Sequence, residues 1–295
     1  MKDRISLKAL LKKPGVIYAG GVGDAAGALL VEHVGYPVVF VSGYYVNYTR
    51  GYPDGTLSLT EMAARVGEIA DRVSVPVIAD GEGGFGDVRK VARTVREFEK
   101  AGASAVHLED MTDKKDGTLI STRQMVNNVK VALEARKSSE FLIVARTDAV
   151  APWCEPGTDM ATREQDAFER CVAYAEAGAD IIMPVFASTD WLRRYGSKIS
   201  KPMLILAPDV DGSELEPLNV KIIAFSTQMI PRTHMQLKSQ YARWLQDRRT
   251  DGVPIPGKMR GTEADQEARR EVDSLIGVPR ENELLAQYED KGDKN

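Results

Sequence analysis

Short runs rich in Val, Ile and Ala recur along the chain. Each is followed by a turn and then by a stretch with apolar residues at three- and four-residue spacing, which predicts strands exchanging with amphipathic helices. The predicted strands are residues 16–19, 38–41, 77–80, 105–109, 142–146, 181–184, 203–206 and 221–224. They are apolar almost throughout, as in a parallel sheet covered by helices, where both strand faces are buried. The junctions "EKAGASAVHLED" and "AEAGADIIMPV" each put Gly after a helix and an apolar strand directly behind it, the punctuation of a repeated βα unit.

Eight such units predict an α/β fold of the (β/α)8 TIM-barrel type rather than an open doubly wound sheet. "GGVGDAAG" (residues 20–27) has GxGxxG spacing only loosely and no acid after the second strand. It is therefore expected to be a turn, with Asp24 capping the next helix, and not a dinucleotide site. Beyond residue 224 the helical pattern exceeds what one more barrel unit needs. The expected division is a catalytic barrel over 1–245 and a helical extension with a charged tail over 246–295.

Composition narrows the partners more than the fold. With 39 basic and 43 acidic residues the net charge is −4, which gives no reason to expect nucleic acid or an acidic membrane surface. No run approaches the roughly 18 apolar residues of a membrane span, and the first residues lack the apolar region of a signal peptide. Cys154 and Cys171 are too few for a disulfide framework. A cytoplasmic protein acting on a small anionic substrate is expected.

In a TIM barrel the active site lies at the C-terminal ends of the strands. There the second strand ends in Ser42, Gly43 and Tyr44, the third in Asp80, Gly81 and Glu82, the fourth in Glu109 and Asp110, and the fifth in Arg146, Thr147 and Asp148; the second loop adds Asp54. Several carboxylates facing one cavity repel each other, and a divalent cation resolves the repulsion. An oxygen-rich set without Cys or several His selects Mg2+ or Mn2+, which takes one or two direct carboxylates and keeps waters. Asp80 is the candidate direct ligand, with Asp54, Glu82 and Glu109 holding the metal's waters. Arg146, in an apolar run, suits a carboxylate or phosphonate clamp, or an ion pair with Asp148 or Glu109. Ser42 offers a hydroxyl and Gly43 a close backbone approach to a substrate anion. Asp87 reads as a helix cap and His107 as a core residue.

Taken together, "VSGYYVNYTRGYPDGTLSLTEM", "PVIADGEGGFGD", "GASAVHLED", "LISTRQMVNNVKVALEAR" and "VARTDA" resemble the isocitrate lyase/phosphoenolpyruvate mutase superfamily, in particular its 2-methylisocitrate lyase-like branch. The resemblance implies a last helix exchanged between subunits in homodimers or homotetramers. It also implies a metal on Asp80 with Asp54, Glu82 and Glu109, and a substrate carboxylate on Ser42, the Gly43 and Tyr44 backbone and Arg146. The shared chemistry it implies is a metal-bound enolate formed by breaking a C–C or C–P bond, with Ser42, Tyr44, Glu109 and Arg146 as the candidate catalytic residues.

The expected reaction is C–C cleavage of a 2-hydroxy or 2-oxo dicarboxylic acid. C–P chemistry, oxaloacetate decarboxylation and a non-catalytic barrel are the alternatives. Three departures bear on it. Glu82 stands where the family has Asp. The loop "MTDKKDGTLIS" has no Cys or His where the lyases carry a catalytic Cys. "MPVF" and "ILAPDVDG" lack the polar residues usual after the sixth and seventh strands, which implies a different far end for the substrate. In the insertion after the fifth strand, Trp153, Cys154 and Glu155 are candidates for a lid with Cys154 as a substitute acid, and Lys114 and Lys115 for closing over an anion.

Overall fold

Every predicted strand forms, and the ends shift by at most a few residues. The strands are β1 (Ile17–Val22), β2 (Val38–Val41), β3 (Val77–Asp80), β4 (Ala105–Glu109), β5 (Leu142–Thr147), β6 (Ile181–Pro184), β7 (Met203–Leu206) and β8 (Val220–Phe225). They pair in parallel in chain order, and β1 pairs with β8 to close the barrel. This computed structural model describes residues 5–112, 117–154, 158–208, 210–247 and 262–288.

The first helices are α1 (Leu7–Leu11), α2 (Ala25–Val34), α3 (Gly43–Thr49) and α4 (Leu59–Arg72). They are followed by α5 (Val88–Lys100), α6 (Thr122–Ala135), α7 (Met160–Glu176) and α8 (Thr189–Tyr195). Local chemistry sets their starts. Asp24 and Asp87 cap α2 and α5, as expected from the sequence, and Ser58 with Glu61 forms a capping box on α4. On α5 the buried residues Val91, Val95 and Phe98 recur at helical spacing, so one stripe packs on the sheet while the charged face meets solvent.

Alternation along the strands divides the core in two. Phe40, Ile78, Ala105, Val144 and Ile181 belong to one buried cluster, inside the barrel, while Val39, Val77, Val106, Ile143 and Ile182 belong to the other, under the helices. His107 takes the inward parity of β4. It is fully buried and stacks on Phe40 with ring centroids 5.2 Å apart, as a core residue should.

The chain divides into two compact units, Met1–Gln228 and Met229–Asn295. The first contains the whole barrel. The second contains α9 (Met229–Asp247), α10 (Glu263–Ile276) and α11 (Val278–Tyr288), so α9, assigned to the barrel segment from sequence, clusters with the C-terminal helices. Among the described residues no helix is long and apolar enough to cross a membrane.

Candidate active site

The inward parity that fills the barrel interior continues one step further at the strand ends and there produces the site. Phe40 leads to Ser42, Ile78 to Asp80, His107 to Glu109 and Val144 to Arg146. On β6, β7 and β8 the same step leads to Val185, Leu206 and Ser226. All seven of these end residues line one cavity of about 400 Å³. Tyr44, Asp54 and Glu82 join them from the loops, so the sequence-predicted side chains converge on one space.

The acidic sector is built on β2, β3 and β4. The Gly43 N–H donates to Asp80 Oδ2 at 2.9 Å and the Glu82 N–H to Asp80 Oδ1 at 3.0 Å, so each carboxylate oxygen is fixed by one backbone donor. His107 Nδ1 lies 3.6 Å from the same Oδ1. A Cβ on Gly43 would lie 2.6 Å from Glu82 Oε1 and 2.9 Å from Asp80 Oδ2, so only glycine lets the backbone approach this pair. The turn is pinned to β4 by the Gly81 N–H donating to the His107 carbonyl and the Glu109 N–H donating to the Glu82 carbonyl, both at 2.9 Å. Glu82 pays for this tight path with a left-handed φ of 49°. Ser42 caps α3, its Oγ accepting from the Tyr45 N–H at 3.4 Å, which leaves the hydroxyl hydrogen available as a donor.

Arg146 joins the acidic sector to the rest. Its Nε and Nη2 each donate to Asp148 at 2.8 Å, and its Nη1 lies 3.1 Å from Glu109 Oε2. Burial disfavours the guanidinium charge, but the Asp148 and Glu109 carboxylates more than offset this and raise its pKa well above the usual arginine value. The ion pairs and the place in the cavity wall, alternatives from sequence, are both realised.

Behind Asp148 lies a support that the sequence did not reveal. The Asp148 N–H donates to Asp110 Oδ1 at 3.0 Å, and Asp110 Oδ2 accepts from Arg170 Nη1 at 3.1 Å and Tyr174 Oη at 2.8 Å. Asp110 is fully buried; burial raises its pKa, Arg170 opposes the rise and Asp148 adds to it. The suggested partners Lys114 and Lys115 lie outside the described residues, as does Glu155.

The other half of the wall is apolar. Met183 and Val185 come from β6 and its end, Leu206 from β7, and Met111, Trp153 and Phe186 from loops. Trp153 therefore faces the cavity, as suggested for the insertion. Cys154 does not line it: the thiol is buried and donates to the Gly117 carbonyl at 3.2 Å, tying two loops together. Ser226 and Thr227, after β8, were missed from sequence. For Ser226 the signal was present, because it continues the inward positions Ile222 and Ala224.

The donor set fits a hard divalent ion. Asp54, Asp80, Glu82 and Glu109 line the same space and offer only oxygen, and the glycine-lined cradle brings the Asp80 and Glu82 carboxylates together. Among the described residues no three His, Cys, Asp or Glu side chains form a ready metal cluster. An ion that takes one direct carboxylate and keeps its waters does not require one.

The sequence profile of phosphoenolpyruvate phosphomutase matches residues 7–245. 2,3-Dimethylmalate lyase of Eubacterium barkeri is 36% identical over 247 residues, which cover 78% of this chain and 82% of that protein. 2-Methylisocitrate lyase of Aeropyrum pernix is 38% identical over 206 residues, covering 67% of this chain and 63% of that one. Among solved structures, a phosphonopyruvate hydrolase in complex with oxalate and Mg2+ has a TM-score of 0.83 at 25% identity, with 98% of this chain and 99% of that one covered. A crystal structure of 2,3-dimethylmalate lyase shares the fold with a TM-score of 0.78 at 24% identity, over 96% and 97% of the two chains.

Proposed function

Because the chain belongs to the phosphoenolpyruvate mutase/isocitrate lyase superfamily and is a carbon–carbon lyase of that type, we propose that it cleaves a C–C bond of a 2-hydroxy or 2-oxo dicarboxylic acid. The observation that carries this reading is the convergence of Ser42, Asp80, Glu109 and Arg146 on one cavity. Arg146, kept charged by its two carboxylate partners, binds the C1 carboxylate of the substrate. The Ser42 hydroxyl donates to an oxygen of the same end. Tyr44, which lines the cavity with half its surface exposed, is the residue to which we assign the return of a proton to the departing fragment.

Asp80 would hold Mg2+ or Mn2+, with Asp54, Glu82 and Glu109 on the ion's waters. When bound, the ion supplies positive charge that polarises the C2 oxygen and stabilises the negative charge developing beside it. The apolar half of the wall keeps water away, which strengthens each of these electrostatic contacts. Mg2+ together with oxalate, a planar mimic of an enolate of this kind, is expected to raise the melting temperature more than either alone. No rise with the pair would contradict the proposal.

Cleavage of a C–P bond is the second reading, favoured by the likeness to phosphonopyruvate hydrolase over nearly the whole chain. A cytoplasmic setting is proposed with either reading, supported by two buried cysteines that form no disulfide.

A further inference from the structure

Seven of the eight strand ends put a side chain into the cavity wall, and the eighth has none to give. On β1 the inward positions Ile17 and Ala19 lead to Gly21, where an added Cβ would run into the carbonyl oxygens of Phe225 and Ser226. The end of β8 therefore lies against β1, and Ser226 borders the place that a β1 side chain would take. Ser226 is 8% exposed and lines the cavity, and Thr227 follows it in the same wall. Both belong to the barrel unit. Among the described residues neither hydroxyl has a hydrogen-bond partner.

A dicarboxylic acid has a second carboxylate to place once Arg146 and Ser42 hold its C1 end. On β3 and β4 it would meet Asp80 and Glu109, which with Asp54 and Glu82 outnumber the charge of one divalent ion. On β6 and β7 it would meet Val185 and Leu206, which have no donor to replace its lost hydration. The end of β8 is different. Its two hydroxyls, each free to turn its hydrogen toward the cavity, offer one donor to each oxygen of a carboxylate.

We propose that Ser226 and Thr227 bind the second carboxylate of the substrate and are specificity-determining residues of the site. The proposal rests on reading this cavity as the lyase site, but it concerns which residues hold the far end of the acid and not the bond broken.

Titration calorimetry in the presence of Mg2+ tests it with malate, 2-hydroxybutyrate and oxalate. In 2-hydroxybutyrate a methyl group replaces the second carboxylate of malate, and oxalate supplies the C1–C2 end alone. The unaltered protein is expected to bind malate about tenfold or more tightly than 2-hydroxybutyrate, as for hydrogen bonds to a charged group. Ser226→Ala and Thr227→Val each remove a hydroxyl and little volume. Each should weaken malate about tenfold and leave 2-hydroxybutyrate and oxalate unchanged, whereas a merely structural role would weaken all three together. No binding of malate, no preference for it over 2-hydroxybutyrate, or variants that bind malate as the unaltered protein does would overturn the proposal. If the pattern holds while oxalate does not bind, the lyase reading fails and the assignment of the second carboxylate stands. If oxalate binds but the variants weaken malate and 2-hydroxybutyrate equally, the reverse holds.

Discussion

Asp80 is a buried carboxylate held from two sides by the backbone. Backbone N–H groups of Gly43 and Glu82 fix its two oxygens in place, and neither donor can be removed by exchanging a side chain. Asp80→Ala should therefore keep the barrel, as read by circular dichroism, while losing the melting shift produced by Mg2+ and oxalate. Saturation at about 100 times Kd is worth about 2.7 kcal/mol, and each kcal/mol moves the melting temperature of a domain this size by roughly 2–4 °C. A shift in the variant equal to that of the unaltered protein would refute the role of Asp80. At this scale Ser42, Asp80, Glu109 and Arg146 were legible because each ends a mostly apolar run and shares its inward parity. Phe186 was not, because its place in the wall depends on a left-handed turn after β6 that "MPVF" does not announce.

Between elements, the position of Arg146 depends on a chain of contacts that crosses three of them. Arg170 on α7 bonds Asp110 after β4, Asp110 accepts the N–H of Asp148 after β5, and Asp148 clamps Arg146. Asp110→Ala would leave the Arg170 guanidinium without its buried carboxylate partner and the Asp148 backbone without its acceptor. Because Arg170 keeps Asp166 at 2.6 Å, urea unfolding should show a loss of about 1–3 kcal/mol, that of buried groups left without a partner, together with a higher KM for the substrate. A loss below about 1 kcal/mol, the level of an exposed pair, would show that the network carries little. The strands themselves were legible almost to their ends, since buried parallel strands are marked by unbroken apolar runs. The partners of Asp110 were not, because Arg170 and Tyr174 lie some 60 residues away on a helix whose polar positions look like an ordinary solvent face.

For the whole molecule, the barrel occupies one compact unit and three helices form another. We propose that this helical surplus pairs copies of the chain, as a homodimer or homotetramer with an exchanged last helix. Several large apolar side chains on α9 are exposed in the single chain, among them Met235, Tyr241 and Leu245, and support this reading. Sedimentation velocity should give the mass of two or four chains of 32.4 kDa, and a monomer at micromolar concentration would refute it.

The chemistry around the barrel mouth is acidic on β2 to β4, cationic at β5 and apolar on β6 and β7. Whether a C–C bond breaks there is read most directly from products. The protein with Mg2+ is incubated separately with alkylmalates, oxaloacetate and phosphonopyruvate, and the 2-oxo acid, carboxylic acid and phosphate formed are measured by NMR. A 2-oxo acid and a second carboxylic acid appearing in equal amounts from an alkylmalate is the predicted result. Phosphate released from phosphonopyruvate with no C–C cleavage of any acid would contradict it.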